Sequence, residues 1–281
     1  MVVPTCDRPG TLRVVLDRLA PGAQQLGPDR YEVIVSDDGR RDRAAAMLAA
    51  SHPWVRVVEG PRRGPAANRN AGAGAARGAF IAFTDDDTEP SRRWLSAFDA
   101  ALAPGLDVLE GRTTCDGGFS SPLYHAPVNE TGGRLWSCNF LISARAFGAV
   151  AGFDEGFRFP HMEDQDLRLR LIAARFRMAF VPDAVVNHPP RRQPDGARLG
   201  AWREAEVRFM YKHGDTHAVR TTLLENIFRY RLGVIRNTPK SFDTIRALGS
   251  LALEAGVVMR RLSEWKVRYA AEFPAVPRKD T

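Results

Sequence analysis

The chain has 281 residues, 44% of them hydrophobic and 26% charged, which suits one large α/β domain with an appendage and excludes a disordered chain. Its formal charge of +7 does not point to nucleic acid, because only four of forty basic residues are Lys and residues 213–281 hold twelve Lys/Arg against seven Asp/Glu. Three cysteines without a C-x-x-C pair, no basic-then-apolar leader and no run of about 20 apolar residues lead us to expect a cytoplasmic protein without disulfides.

Met1–Val3 reads as a strand end, Pro4–Gly10 as a loop and Thr11–Ala20 as a helix with Leu12, Val15, Leu16 and Leu19 on one face. Tyr31–Val35 is a second strand running into Asp37-Asp38-Gly39, residues 43–50 a short Ala-rich helix and Val55–Val58 a third strand. Pro65 opens a helix through Asn68 and Ala76, and Phe80–Phe83 is a fourth strand that ends, after Thr84, in Asp85-Asp86-Asp87. Strands alternating with helices at this spacing predict an α/β fold with a mostly parallel, Rossmann-like sheet and helices on both faces. Ligands of such sheets bind at the carboxyl ends of strands, where both acid clusters fall. Gly72–Gly78 is not a dinucleotide fingerprint, since Arg77 stands where the third glycine belongs and the segment lies inside a helix.

Beyond a helix at Ser91–Ala103 the alternation breaks. A strand near Val108–Leu109 leads into a long loop, Gly111–Gly133, of the kind that lines a pocket. Trp136–Ile142 is expected as a strand, Ala144–Val150 as a helix and Glu163–Arg175 as another, with acids crowded at its start. Met178–Val181 and Val185–His188 read as two further extended runs. Three adjacent carboxylates repel unless a cation neutralises them, and carboxylates suit Mg²⁺ or Mn²⁺ completed by substrate phosphates. The plainer reading of either cluster is a helix cap, which one or two acids would satisfy.

In order along the chain, Val3–Pro9, Val35–Gly39, Gly64–Gly72, Thr84–Asp87, Gly152-Phe153-Asp154-Glu155, Glu163–Leu167 and His188 resemble the motifs of glycosyltransferase family 2, enzymes of the GT-A fold that are mostly inverting. The resemblance implies a nucleotide-diphospho-sugar donor and a divalent metal, Mn²⁺ or Mg²⁺. It places Pro4, Thr5, Asp7, Arg8, Asp37, Asp38, Asn68, Asp85 and Asp86 beside the nucleotide sugar. Asp87, Asp85 and His188 become metal ligands, Asp164 the catalytic base, and Glu163 and Trp136 residues of the acceptor side. Catalysis is expected in residues 1–212, with 213–281 a basic, amphipathic helical extension.

One carboxylate group would then serve the leaving diphosphate through the metal, and the other would deprotonate a hydroxyl of a glycan or lipid-linked acceptor. In the extension, Leu224, Ile227, Phe228, Leu232 and Ile235 form one helical stripe. Phe242, Ile245, Leu248, Leu251, Val258 and Leu262 form another. They either close over the catalytic domain or rest on the inner face of the cytoplasmic membrane as a peripheral contact. Two alternatives stay open: a nucleotidyltransferase making sugar nucleotides, and a non-catalytic nucleotide-sugar binder.

Overall fold

The computed structural model describes residues 1–41 and 44–274. Two compact units divide the chain: Met1–Gly117 with Ala126–Pro189, and Gly118–His125 with Pro190 onward. The second unit therefore takes in residues 190–212 as well as the extension expected from 213.

The first unit is built on an eight-stranded sheet in the order β3-β2-β1-β4-β8-β6-β9-β5. Strands β1 (Val2–Thr5), β2 (Ile34–Asp37), β3 (Arg56–Glu59) and β4 (Phe80–Phe83) alternate with helices α1 (Pro9–Leu19), α2 (Ala45–Ser51) and α3 (Pro65–Gly74). They run parallel, with Val2 opposite Ile34 and Ile34 opposite Arg56. Helix α2 matches the one expected from residue 43, a residue that itself lies outside the described ones. After β5 (Glu89–Pro90) and α4 (Trp94–Ala101), β6 (Val108–Thr114) lies between β8 (Phe140–Ser143), antiparallel to it, and β9 (Met178–Asn187), parallel to it. Helices α5 (Ala144–Ala149) and α6 (Glu163–Ala173) lie between β8 and β9 in the chain.

The period of two along each strand explains the helices on both faces. Val3, Ala82, Leu109 and Leu141 join α1 and α4 in one core cluster, around Leu12, Leu16, Trp94 and Phe98. Their neighbours Val2, Ile81, Phe83, Val108, Phe140 and Ile142 join Phe147, Phe153 and Leu167 in the other. Helix α3 approaches β1 closely because Gly72 has no side chain: a Cβ there would lie 2.5 Å from Val2 Cγ1.

Three expectations change. The strand expected at Trp136–Ile142 begins only at Phe140, because Trp136 and Ser137 sit in the loop before it. The extended runs at 178–181 and 185–188 are one ten-residue strand, β9. Consecutive residues Gly111 and Arg112 of its partner β6 face Val181 and Val185, so Pro182-Asp183-Ala184 bulge from β9 without ending it.

The second unit pairs β7 (Tyr124–His125) antiparallel with β10 (Arg191–Arg192) and packs α7 (Gly196–Trp202), α8 (Glu204–Lys212), α9 (Val219–Asn237) and α10 (Phe242–Glu272) around Val207, Leu223, Ile227, Leu251, Val258 and Trp265. Buried Glu254 is held by Arg203 at 2.7 Å and by Arg231 at 3.5 Å. The stripe expected from Phe242 to Leu262 is not one face: Leu251, Val258 and Leu262 are buried, whereas Phe242 and Ile245 are 67% and 65% exposed. Steps of three residues turn about 300°, so a run of them drifts off any single face of the helix. No helix among the described residues is long and apolar enough to cross a membrane.

Candidate active site

Strand β1 lies where the chain order of the sheet reverses, with β2 and β3 on one side and β4 on the other. The β1–β4 ladder is paired at Val2 and Phe83. Pro4, which has no N–H to give, falls just past that point, so the two strands splay where their loops carry polar groups.

At the end of β4 the alternation of a strand continues into the acids. Asp86 is wholly buried, whereas Asp85 and Asp87 on either side of it are partly exposed. Asp86, expected beside the nucleotide, ties the loops together: Thr5 Oγ1 donates to it at 2.6 Å and Arg8 lies 2.5 Å away. Burial pushes its carboxyl up to about 7, with Arg8 opposing the shift. The same guanidinium reaches Asp87 at 2.9 Å.

His188, wholly buried just beyond β9, completes a cluster in which one ligand atom each from Asp85, Asp87 and His188 lies within 4.8 Å of the others. The Pro189 carbonyl can only accept, so His188 Nδ1 donates in that 3.1 Å bond and Nε2 is the ring nitrogen left to face the acids. Nε2 is buried without a hydrogen-bond partner, 3.5 Å from Asp87 Oδ1. Two carboxylates and an imidazole are a donor set that suits Mn²⁺, so these residues fit a divalent ion.

The remaining residues expected at the nucleotide gather around the ends of β1 and β2. Asp7 adopts a left-handed backbone, φ 53°, and its carboxylate accepts from the amides of Arg40 and Arg41, both at 2.8 Å. Asp37 accepts from the amides of Gly39 and Ala44, and Asp38 from that of Arg62. Burial raises Asp38, against the amide bond from Arg62. Asn68 donates to the carbonyls of Thr5 and Ser36 and accepts from Ser36 Oγ, so its whole side chain ties α3 to β1 and β2.

On the other flank, α6 begins from Met162 in the left-handed region, φ 72°, and buries Glu163, Asp164 and Asp166 in its first turn. Asp166 pairs with Arg170 on its own helix at 2.8 Å, a structural role. Asp164 accepts from the amides of Gln165 at 2.7 Å and Ser137 at 3.4 Å. Burial raises its carboxyl, with the Gln165 amide and Arg69 opposing, and burial likewise raises Glu163, with Asp164 adding to the rise. Trp136 is half-buried beside Ser137, and its indole donates to the Val128 carbonyl at 3.1 Å.

Sequence reasoning missed the group that joins the two flanks. Arg69, buried on α3, meets Asp85 at 2.7 Å and Glu163 at 3.0 Å. Burial alone would depress it, yet the two carboxylates more than offset that and raise it. The signal was a basic residue inside the buried face of α3, between Ala66 and Gly72. The arrangement as a whole sets a group that could hold a cation, a guanidinium bridge and a raised carboxylate in the first unit.

The glycosyl transferase family 2 model matches residues 1–125. The chain is 32% identical over 180 residues to the pre-mycofactocin glycosyltransferase of Mycobacterium tuberculosis, a match covering 57% of this chain and 38% of that protein. The chain thus spans well under half the length of this relative. Its fold superposes on S. aureus TarS 1-349 with a TM-score of 0.58 at 16% identity, covering 99% of this chain and 92% of that one. It also superposes on the mannosyltransferase PcManGT of Pyrobaculum calidifontis, with a TM-score of 0.54 at 18% identity, covering 96% and 76%. The fold is therefore that of the GT-A glycosyltransferases, and residues 1–125 are similar to glycosyl transferase family 2.

Proposed function

We propose that the chain transfers a sugar, with inversion, from a nucleotide-diphospho-sugar to a hydroxyl of a glycan or lipid-linked acceptor, as a step in polysaccharide or glycolipid synthesis. The observation that carries this reading is the convergence of Asp85, Asp87 and His188 at one strand end, joined through Arg69 to the acids that open α6. PcManGT has been captured with GDP-Man and Mn²⁺, and a donor of this chemistry is proposed here. All the residues concerned lie in the first unit, before residue 190.

When bound, Mn²⁺ or Mg²⁺ supplies Lewis-acid stabilisation to a departing diphosphate. Asp85, Asp87 and the Nε2 lone pair of His188 would hold it. Arg69 pairs with Asp85 and with buried Glu163, and so joins the acids beyond β4 to those that open α6. Asp164 takes the proton of the acceptor hydroxyl as that oxygen attacks the anomeric carbon. One displacement from the face opposite the leaving group inverts the centre. Thr5, Asp86 and Arg8 brace the β1 and β4 loops against each other around the donor.

The test is a thermal-shift panel of UDP-glucose, UDP-GlcNAc and GDP-mannose with and without Mn²⁺, on wild type and Asp87→Ala. One donor should stabilise the wild type only with Mn²⁺, and the substitution should remove that increment. An unchanged increment in the variant would overturn the metal assignment. Slow release of nucleoside diphosphate from the bound donor separates a transferase from a pure binder, and release of pyrophosphate on adding a nucleoside triphosphate would favour the nucleotidyltransferase alternative.

We also propose a peripheral contact of the second unit with an anionic membrane. Its support is the exposure of Phe242, Ile245 and Leu248 on α10 among the exposed cations Arg236, Lys240 and Arg246.

A further inference from the structure

Strand β6 carries a carboxylate that no catalytic step uses. Glu110 is 5% exposed and collects four donors. Oε1 accepts from Asn129 Nδ2 at 2.7 Å, from the Arg134 amide at 2.6 Å and from the Leu135 amide, while Oε2 accepts from the Gly133 amide at 2.7 Å. Three successive amides can converge on one carboxylate because the backbone there is left-handed at Gly132, Gly133 and Leu135, with φ of 83°, 85° and 49°. Asn129 is itself fixed: its backbone pairs with Thr113, and its Oδ1 accepts from the Gly132 amide at 3.0 Å.

This anchored segment leads, within two residues, to the proposed base. The Ser137 amide donates to Asp164 Oδ2 at 3.4 Å. Gln165 Nε2 donates to the Arg134 carbonyl at 2.6 Å and to Asp164 Oδ1 at 3.4 Å. The loop thus holds Asp164 Oδ2 directly and reaches Oδ1 through Gln165, and Trp136 lies between the anchor and Ser137. From this connection we propose that Glu110 is a positioning residue: its carboxylate folds residues 129–137 into the shape that holds Asp164 and the acceptor-side Trp136. The proposal rests on the reading of Asp164 as the base.

The variant to make is Glu110→Gln, which keeps the size and one acceptor oxygen but turns an NH₂ toward a backbone N–H. Asn129→Ala, which removes one donor and leaves the carboxylate, is the milder companion should Glu110→Gln fold poorly. Amide hydrogen exchange, which needs no substrate, should accelerate at 133–135 and also at Ser137 and Gln165; acceleration confined to 133–135 would overturn the proposal. In Mn²⁺-dependent release of nucleoside diphosphate from the donor selected above, kcat should fall on the order of 10- to 100-fold with donor affinity unchanged. The acid limb of its pH profile should move up, because a carboxylate that loses a donor binds its proton more tightly. Glu110→Gln combined with Asp164→Asn should be no slower than Asp164→Asn alone. A slow Asp164→Asn with a normal or additive Glu110→Gln defeats this inference only, whereas a normal Asp164→Asn defeats the base reading on which it rests.

Discussion

Arg69 shows how much one buried charge can organise. It is the shared partner of Asp85 and Glu163, and removing it leaves buried Glu163 without its cation, next to a partly exposed Asp85. Arg69→Met should therefore cost roughly 3–5 kcal/mol of folding stability, measurable by denaturant unfolding; a loss below about 1 kcal/mol would mean that the acids relax into solvent or take up protons. Asp164 is the second case. An acid at a helix N-terminus is expected to stay ionised, but burial outweighs the dipole and pushes the carboxyl up to about 6. A base that titrates there is well matched to work near neutral pH. Asp164→Asn should lower turnover by roughly 10²–10⁴-fold with donor binding nearly unchanged, and wild-type turnover should fall as pH drops below about 6. For folding the sign is opposite. The native state holds a proton that the unfolded chain releases near its ordinary value of 3.8, so the stabilisation is full at low pH and is lost as pH rises through about 6. Unfolding free energy measured from pH 4 upward should show that decline, and Asp164→Asn should make it shallower without abolishing it, because Asp86 and Glu163 are raised as well.

Among the elements, α3 and β1 carry a contact that local pattern does not reveal. Gly72 sits where Val2 Cγ1 is 2.5 Å from any added Cβ, and Ser36 Cβ is 3.3 Å away. Gly72→Ala should gain helix propensity yet destabilise the first unit by roughly 1–3 kcal/mol through overpacking, and Val2→Ala should recover part of that loss. Equal or higher thermal stability in Gly72→Ala would show that α3 can shift outward. The parallel strands were legible because each is a short apolar run ending in polar residues. Strand β9 was split in two on paper because its middle, Val181-Pro182-Asp183-Ala184, reads as a turn. Only pairing with β6 on both sides of a bulge at 182–184 makes that stretch part of a strand.

At the scale of the whole molecule the two units differ in what they expose. The sheet unit buries its apolar strands on both faces. The helical unit leaves Phe242, Ile245, Leu248 and Leu253 of α10 more than two-fifths exposed, with Arg246 lying over the Phe242 ring at 4.8 Å. Proposed contact with anionic vesicles should weaken as salt rises, since screening shortens the reach of surface charge. Phe242→Ser with Ile245→Ser should reduce co-sedimentation at low salt. Equal pelleting by the double variant, or no pelleting of the wild type, removes the membrane reading.

The sequence by itself determined the α/β class, the parallel order of the early strands and the positions of the two acid clusters. Those features are written in local periodicity and in runs of adjacent charge. Asp85, Asp87 and His188 could be singled out by chemistry, because few residue types bind a hard cation. Only the tertiary structure decided that Asp86 turns inward to Thr5 and Arg8, that Asn68 ties two strands together, that Arg69 meets acids far from it in the chain, and that Glu110 gathers the amides of residues 133–135. A buried ion pair or a carboxylate ringed by amides has no sequence spacing of its own. Its partners are set by which strands become neighbours, and burial, not residue type, sets the protonation of Asp164.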